Sequence, residues 1–186
     1  MSNDEAKKRA ARAALELLPE SGVIGLGTGS TTHFFIEGVG ELVRAGRRLV
    51  GLPTSKQSRA LATQCGIPLL DDAGPWQIDL CVDGADEVSD TLDLIKGGGA
   101  AHTREKIVNF AAKQNLIIVD ASKLSRQLGE KRAIPVEVLV FGHLTTQRGN
   151  RLGIVTFGDG ADRRVPPRVG RDEENGAHGR CDQHRR

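Results

Sequence analysis

The side chains with chemistry to offer lie between Asp83 and Glu105. The apolar run Ile78–Val82 delivers Asp83-Gly84-Ala85-Asp86, two carboxylates three residues apart on a turn just past a strand. Lys96 and the triple glycine Gly97-Gly98-Gly99 follow, then a helix-like segment carrying Glu105. Taken singly, each has a plain structural reading. Glu105 could be a first-turn acid favoured by the helix dipole, Asp83-Gly84 only a turn, and Lys96 a solvated charge. Together they describe an enolisation site. A carboxylate free to take a carbon-bound proton faces a lysine able to hold the resulting oxyanion, beside a backbone stripped of side chains so that a ligand can come close.

A second polar turn comes earlier. Val23–Leu26 runs straight into Gly27-Thr28-Gly29-Ser30-Thr31-Thr32, and a helical pattern follows to about Ala45. Strand, hydroxyl-rich glycine turn and helix point backbone N–H groups and a helix dipole at an anion. The turn matches neither the dinucleotide fingerprint nor a P-loop. On its own it reads equally well as a tight turn with an N-cap. Pro53-Thr54-Ser55 opens another helix, with Thr54 or Ser55 as its cap and a ligand contact as the alternative.

These turns need a scaffold, and the pattern supplies one. Asp4–Leu18 reads as an amphipathic helix with Ala10, Ala14, Leu17 and Leu18 on its apolar stripe. Strands are expected at Val23–Leu26, Arg48–Leu52, Ile67–Leu70, Ile78–Val82 and Asn115–Asp120, and helices at Ser55–Cys65 and Ala100–Lys113. Near-continuous Val/Ile/Leu strands alternating with helices predict an α/β fold: a mostly parallel sheet covered by helices on both faces. Such sheets bind ligands beyond the carboxyl ends of their strands, and the polar residues fall after the first, fourth and fifth strands.

The chain of 186 residues carries a net charge of +2 and 38% hydrophobic residues, enough for one domain with an appendage. That charge is too small to point to nucleic acid, and five Phe with one Trp and no Tyr offer no platform for stacked bases. Cys65, Cys81 and Cys181 match neither a disulfide framework nor metal-ligand spacing, and Cys81 reads as a buried small residue. No apolar run reaches the roughly 20 residues that span a bilayer. The charged N-terminus has no signal-peptide core, so a cytoplasmic protein is expected. Trp76 reads as a core or interface anchor.

Character changes near Phe141. Pro135–Phe141 reads as a further strand, but from Phe141 onward there are nine arginines and no lysine. Leu152–Phe157 is compatible with a short strand, whereas Arg163–Arg168, with Pro166-Pro167, reads as neither helix nor strand. Residues 141–186 are therefore an atypical Arg/Gly-rich tail, for which disorder and an out-of-frame C-terminus are both open readings. Composition alone also admits a basic tail for nucleic acid, a less economical reading than disorder.

Five segments carry a specific resemblance: GLGTGSTT (25–32), GLPTSKQS (51–58), DLCVDGADE (79–87), LIKGGGAAHTREK (94–106) and IVDASK (118–123). In this order and spacing they resemble the ribose-5-phosphate isomerases of the A type over roughly residues 5–140, the likeness stopping near Phe141. The resemblance implies a Rossmann-like domain over 1–140, with the family's small α+β C-terminal domain missing or altered. It implies interconversion of D-ribose 5-phosphate and D-ribulose 5-phosphate without metal or organic cofactor, by a homodimer with no nucleic-acid or membrane partner. It makes Glu105 the general base, Asp83 and Asp86 the acids that assist ring opening and shuttle hydroxyl protons, and Lys96 the oxyanion's cation. Thr28, Gly29, Ser30, Thr31, Gly84, Ala85, Gly97, Gly98, Gly99 and Lys123 become substrate-binding positions. A phosphosugar-binding module and an inactive truncated isomerase are the alternatives.

Overall fold

The structure, a computed structural model, describes residues 3–136 and the two strands at 152–156 and 163–168. The first unit begins with helix α1 (Asn3–Glu16) and strand β1 (Ser21–Leu26), then helix α2 (Ser30–Arg44) and strand β2 (Arg48–Pro53). Helix α3 (Lys56–Gln64), strand β3 (Ile78–Asp83) and two short strands, β4 (Glu87–Val88) and β5 (Leu94–Ile95), come next. Helix α4 (His102–Ala111), strand β6 (Ala112–Ile117) and a 3-10 turn (Ala121–Lys123) complete it.

The main sheet has the order β2-β1-β3-β6, and all its pairings are parallel. Two cores show why. Ile24, Leu26, Leu49, Leu80 and Val82 pack with Ala11, Ala14, Phe35, Ile36, Val39 and Ala62 of the first three helices. Leu52, Ile78 and Cys81 pack with Val108 of α4. Side chains alternate across each strand, so one face takes α1, α2 and α3 and the other takes α4, as expected for a sheet covered on both sides. From β1 the chain steps outward to β2, then back across β1 to β3. That reversal opens a crevice between the carboxyl ends of β1 and β3, where open α/β sheets bind ligands.

Several expectations are corrected in detail. Ile67–Leu70 is not a strand: only Leu69 bridges Gly51, because Pro68 has no N–H for a ladder. The last strand of the sheet runs Ala112–Ile117 rather than Asn115–Asp120. Asp120 instead caps the 3-10 turn by accepting the Ser122 amide at 2.9 Å. Leu17 follows the end of α1 and is exposed, so the buried stripe is Ala11, Ala14 and Leu18. Ser55, not Thr54, caps α3, in a reciprocal box with Ser58. Cys81 is fully buried, and desolvation pushes its thiol up to about 12. Trp76 packs at the edge of the second core and donates its indole N–H to the Asp71 carbonyl at 2.8 Å.

The second unit pairs β7 (Leu152–Thr156) with β8 (Arg163–Arg168), antiparallel. Arg163–Arg168 is thus a strand, contrary to its composition. The register shifts where Pro166 and Pro167 fall, and a two-stranded ribbon tolerates proline at such irregularities and at its edges. Pro135 and Val136 carry no regular structure, and the rest of the strand expected at 135–141 lies outside the described residues.

Gly25 faces Cys81 across the β1–β3 pairing, where an added Cβ would lie 2.5 Å from its sulfur and 3.1 Å from its Cα. Gly25→Ala is expected to cost about 1–3 kcal/mol of stability, as overpacking does, read from the shift in urea midpoint.

Candidate active site

The crevice between the ends of β1 and β3 is a cleft of about 280 Å³. Its walls are the three turns singled out in the sequence. Thr28, Gly29, Ser30 and Thr31 follow β1; Gly84, Ala85 and Asp86 follow β3; Lys96 with Gly97, Gly98 and Gly99 follows β5; Glu105 comes from α4 and Lys123 from the 3-10 turn. Every candidate lines the cleft except Asp83, which is fully buried beneath it.

Asp83 owes its place to a close approach of backbones. A Cβ on Gly27 would fall 2.3 Å from Asp83 Oδ1, so glycine there lets β1's end pass over the carboxylate. Oδ1 accepts the amides of Thr28 at 3.1 Å and Gly84 at 2.8 Å. Oδ2 meets Lys96 Nζ at 3.0 Å and accepts from Asn109 Nδ2 at 3.2 Å. Both oxygens are therefore engaged within the fold.

Lys96 links the buried acid to the reactive one. Its ammonium also donates to the Gly84 carbonyl and lies 3.5 Å from Glu105 Oε2. Glu105 is only 4% exposed. Desolvation, foremost, and the neighbouring Asp83 charge raise its pKa, against a lowering pull from Lys96. Asp86 is half-buried at the rim, and the Gly98 amide donates to its Oδ2 at 2.8 Å. The triple-glycine turn thus presents its backbone to a carboxylate as well as to the cleft.

The far wall is the N-terminus of α2. Gly29 at its cap makes no side-chain capping bond and has φ 123°, a left-handed conformation that favours glycine. The first amides of the helix accordingly have no capping side chain and retain their capacity for an anion. Lys123 lines the same cleft, carried on the turn that Asp120 caps.

Two contributors escaped the sequence reading. Asn109 spans one helical turn, donating to Asp83 and, at 2.7 Å, to the Glu105 carbonyl; the i,i+4 spacing from Glu105 was its available signal. Glu87 is wholly buried and accepts the amides of Gly129, Lys131 and Arg132. Burial opposes its ionisation, but the Ser125 hydroxyl and these amides hold its carboxyl below the usual range. It anchors the loop behind the site from 42 or more residues away, a spacing no local motif reveals. Among the described residues no group of three or more His, Cys, Asp or Glu side chains could hold a metal ion, and no helix is long and apolar enough to cross a membrane.

A carboxylate whose pKa is raised in the folded state stabilises the fold only while protonated. That contribution is complete below the ordinary carboxylate range and is lost as pH rises through the raised value. Glu105→Gln is therefore expected to be more resistant to denaturation than the wild type at pH 8, the difference closing as the medium is acidified. Denaturant midpoints across pH measure it.

The family model for ribose 5-phosphate isomerase A (phosphoriboisomerase A) matches residues 50–162, continuing past Phe141, where the sequence resemblance stopped. Ribose-5-phosphate isomerase A of Thermosynechococcus vestitus is 50% identical over 146 residues, covering 76% of this chain and 62% of that protein. Its counterpart in Rhodopseudomonas palustris strain BisB18 is 50% identical over 150 residues, covering 80% and 63%. The chain thus spans a little over three fifths of the length of these curated relatives. The solved ribose 5-phosphate isomerase A of Methanocaldococcus jannaschii superposes with a TM-score of 0.72 at 40% identity, covering 87% of this chain and 74% of that one. A D-ribose-5-phosphate isomerase in complex with phospho-erythronic acid gives 0.72 at 36% identity, covering 94% and 82%. With its parallel sheet, its cleft and these matches in agreement, the chain belongs to the ribose 5-phosphate isomerase A family.

Proposed function

We propose that the chain interconverts D-ribose 5-phosphate and D-ribulose 5-phosphate by proton transfer through an enediolate. The observation that carries this is the Asp83–Lys96–Glu105 chain: a buried acid fixes an ammonium group beside a second, proton-avid carboxylate on the cleft wall. With the open-chain aldose bound, Glu105 takes the proton from carbon 2. The C–H electron pair becomes the carbon–carbon double bond of the enediolate, and the carbonyl electrons move to the oxygen on carbon 1. Lys96 stabilises that oxygen. Glu105 returns its proton to carbon 1, the proton of the carbon 2 hydroxyl passes to the oxygen on carbon 1, and the carbon 2–oxygen bond becomes the ketone carbonyl, so no proton is gained or lost overall.

Asp86, at the rim and half-exposed, is the acid placed to exchange hydroxyl protons and assist ring opening. Asp83 serves instead as the group that orients Lys96. The phosphate belongs at the bare α2 N-terminus, against Ser30, Thr31 and Lys123. Phospho-erythronic acid, held by a relative 36% identical to this chain, carries a carboxylate at one end and a phosphate at the other, matching the two ends of such a cleft. A cytoplasmic homodimer forms part of the same reading. The dimeric part of that reading is supported by the apolar surface on α4, where Ile107 is half-exposed and Phe110 is 89% exposed.

The test is ribose 5-phosphate isomerisation by the purified chain beside Glu105→Gln. The wild type is expected to turn over, and the variant to lose about 10²–10⁴ in kcat, the range for a general base. A folded wild type that binds the phosphosugar without turnover would favour the binding-module alternative.

A further inference from the structure

A second cleft, of about 480 Å³, opens beside the first and shares Thr28 and Gly99 with it. Arg104, the residue before the proposed base, lines this neighbouring cleft. Its Nε donates to the Pro53 carbonyl at the end of β2 (3.3 Å), and its Nη2 donates to Asp72 Oδ1. Asp72 in turn accepts from Arg59 of α3 at 2.6 Å. The guanidinium also lies 5.3 Å from the centre of the Trp76 ring. Both arginines of this cleft are thus already committed to Asp72. The Arg104 hydrogen bond, foremost, holds that carboxyl below its usual range.

What this network supports is the first turn of α4. The residue at the helix cap, Ala101, makes no side-chain capping bond, and only Glu105 and Val108 of the helix are buried. A first turn with neither a cap nor much apolar burial is held by whatever else it touches. Residue 104 reaches β2, α3 and the 71–76 loop while residue 105 turns into the reactive cleft. We propose that Arg104 is a positioning residue for Glu105, acting through Asp72 and the Pro53 carbonyl to fix the turn that carries the base. The inference rests on the isomerase reading above.

A displacement of about 1 Å at a reacting group costs on the order of 10²-fold in rate. Arg104→Gln and Asp72→Asn are therefore each expected to lower kcat about 10–100-fold with KM changed by less than about threefold, and Arg104→Lys to recover part of the loss. The charged groups facing Glu105 are Asp83, Asp86 and Lys96, none of which these variants alter. A loosened turn admits water, relieves the desolvation of Glu105, and moves the acid limb of kcat/KM to lower pH. Arg104→Gln removes a positive charge and Asp72→Asn a negative one, so a direct field effect would move the two limbs in opposite directions, whereas lost positioning moves both downward.

Hydrogen–deuterium exchange on the intact chain gives a readout independent of turnover. The first-turn amides of α4 are expected to exchange faster in both variants, with those of α2 unchanged. A kcat within twofold of wild type, limbs moving in opposite directions, or unaltered exchange in α4 would overturn the proposal. A wild type without turnover would overturn the isomerase reading, leaving exchange alone to decide whether Arg104 braces the turn.

Discussion

The structure around the cleft depends on one buried carboxylate. Asp83 receives an amide from the turn after β1, an amide from its own turn, an amide side chain from α4 and the ammonium of Lys96. Four donors from separate segments meet on two oxygens. Burying an ion costs several kcal/mol, which only good geometry and complete hydrogen bonding offset. The cost is accepted where the strand order reverses and the turns after β1 and β3 diverge. Without a common anchor there, each turn would be an independent loop. The missing side chain at Gly27 is part of the same arrangement, because any Cβ would displace the carboxylate.

That anchor also sets the electrostatics. Two acids, Asp83 and Glu105, share one ammonium group in a poorly hydrated place. Lys96 is nearer to Asp83 than to Glu105, and desolvation, joined by the Asp83 charge, outweighs its pull and raises the Glu105 pKa. A carboxylate with greater proton affinity is the better base for a weakly acidic C–H bond, provided it is still ionised at the working pH. The α2 N-terminus and Lys123 line the other wall, so positive potential for an anionic group is available without neutralising the base. Binding and proton transfer are thereby assigned to different walls of one small cleft.

Much of this was legible in the sequence because it is local. Apolar runs bounded by glycine and proline mark the strands, and Asp83–Asp86, Lys96–Gly99 and Thr28–Thr31 each fall within one turn. The unread parts depend on distance or on competition. Nothing near Glu87 announces that it will hold amides more than 40 residues away, and Asn109 becomes informative only once α4 lies over β3. The strand expected to end at Asp120 stops early because that side chain prefers to cap a turn. Pro166-Pro167 argues against a strand only where a ladder must run unbroken, and β8 pairs through an irregular register. The type of Asp83 was plain, but its role was not. Two acids three residues apart look equivalent until one is found beneath the floor with both oxygens occupied and the other at the rim.

The remaining question for such a site is what keeps Glu105 in place, since α4 contributes so little apolar burial. Ile107 and Phe110 are exposed, and only Val108, with the partly buried Ala111 beside it, gives the helix a foothold in the second core. A helix bound so lightly owes its orientation to polar contacts at particular residues rather than to a wide packed face. Asn109 supplies one contact, tying the turn after Glu105 to Asp83. Arg104 supplies another, tying the turn before it to β2 and Asp72. The base lies between these two attachments, one on each side of the sequence and each ending in a carboxylate. A polar bracket of this kind fixes direction as well as distance, which a carboxylate that must reach two adjacent carbons requires more than it requires burial.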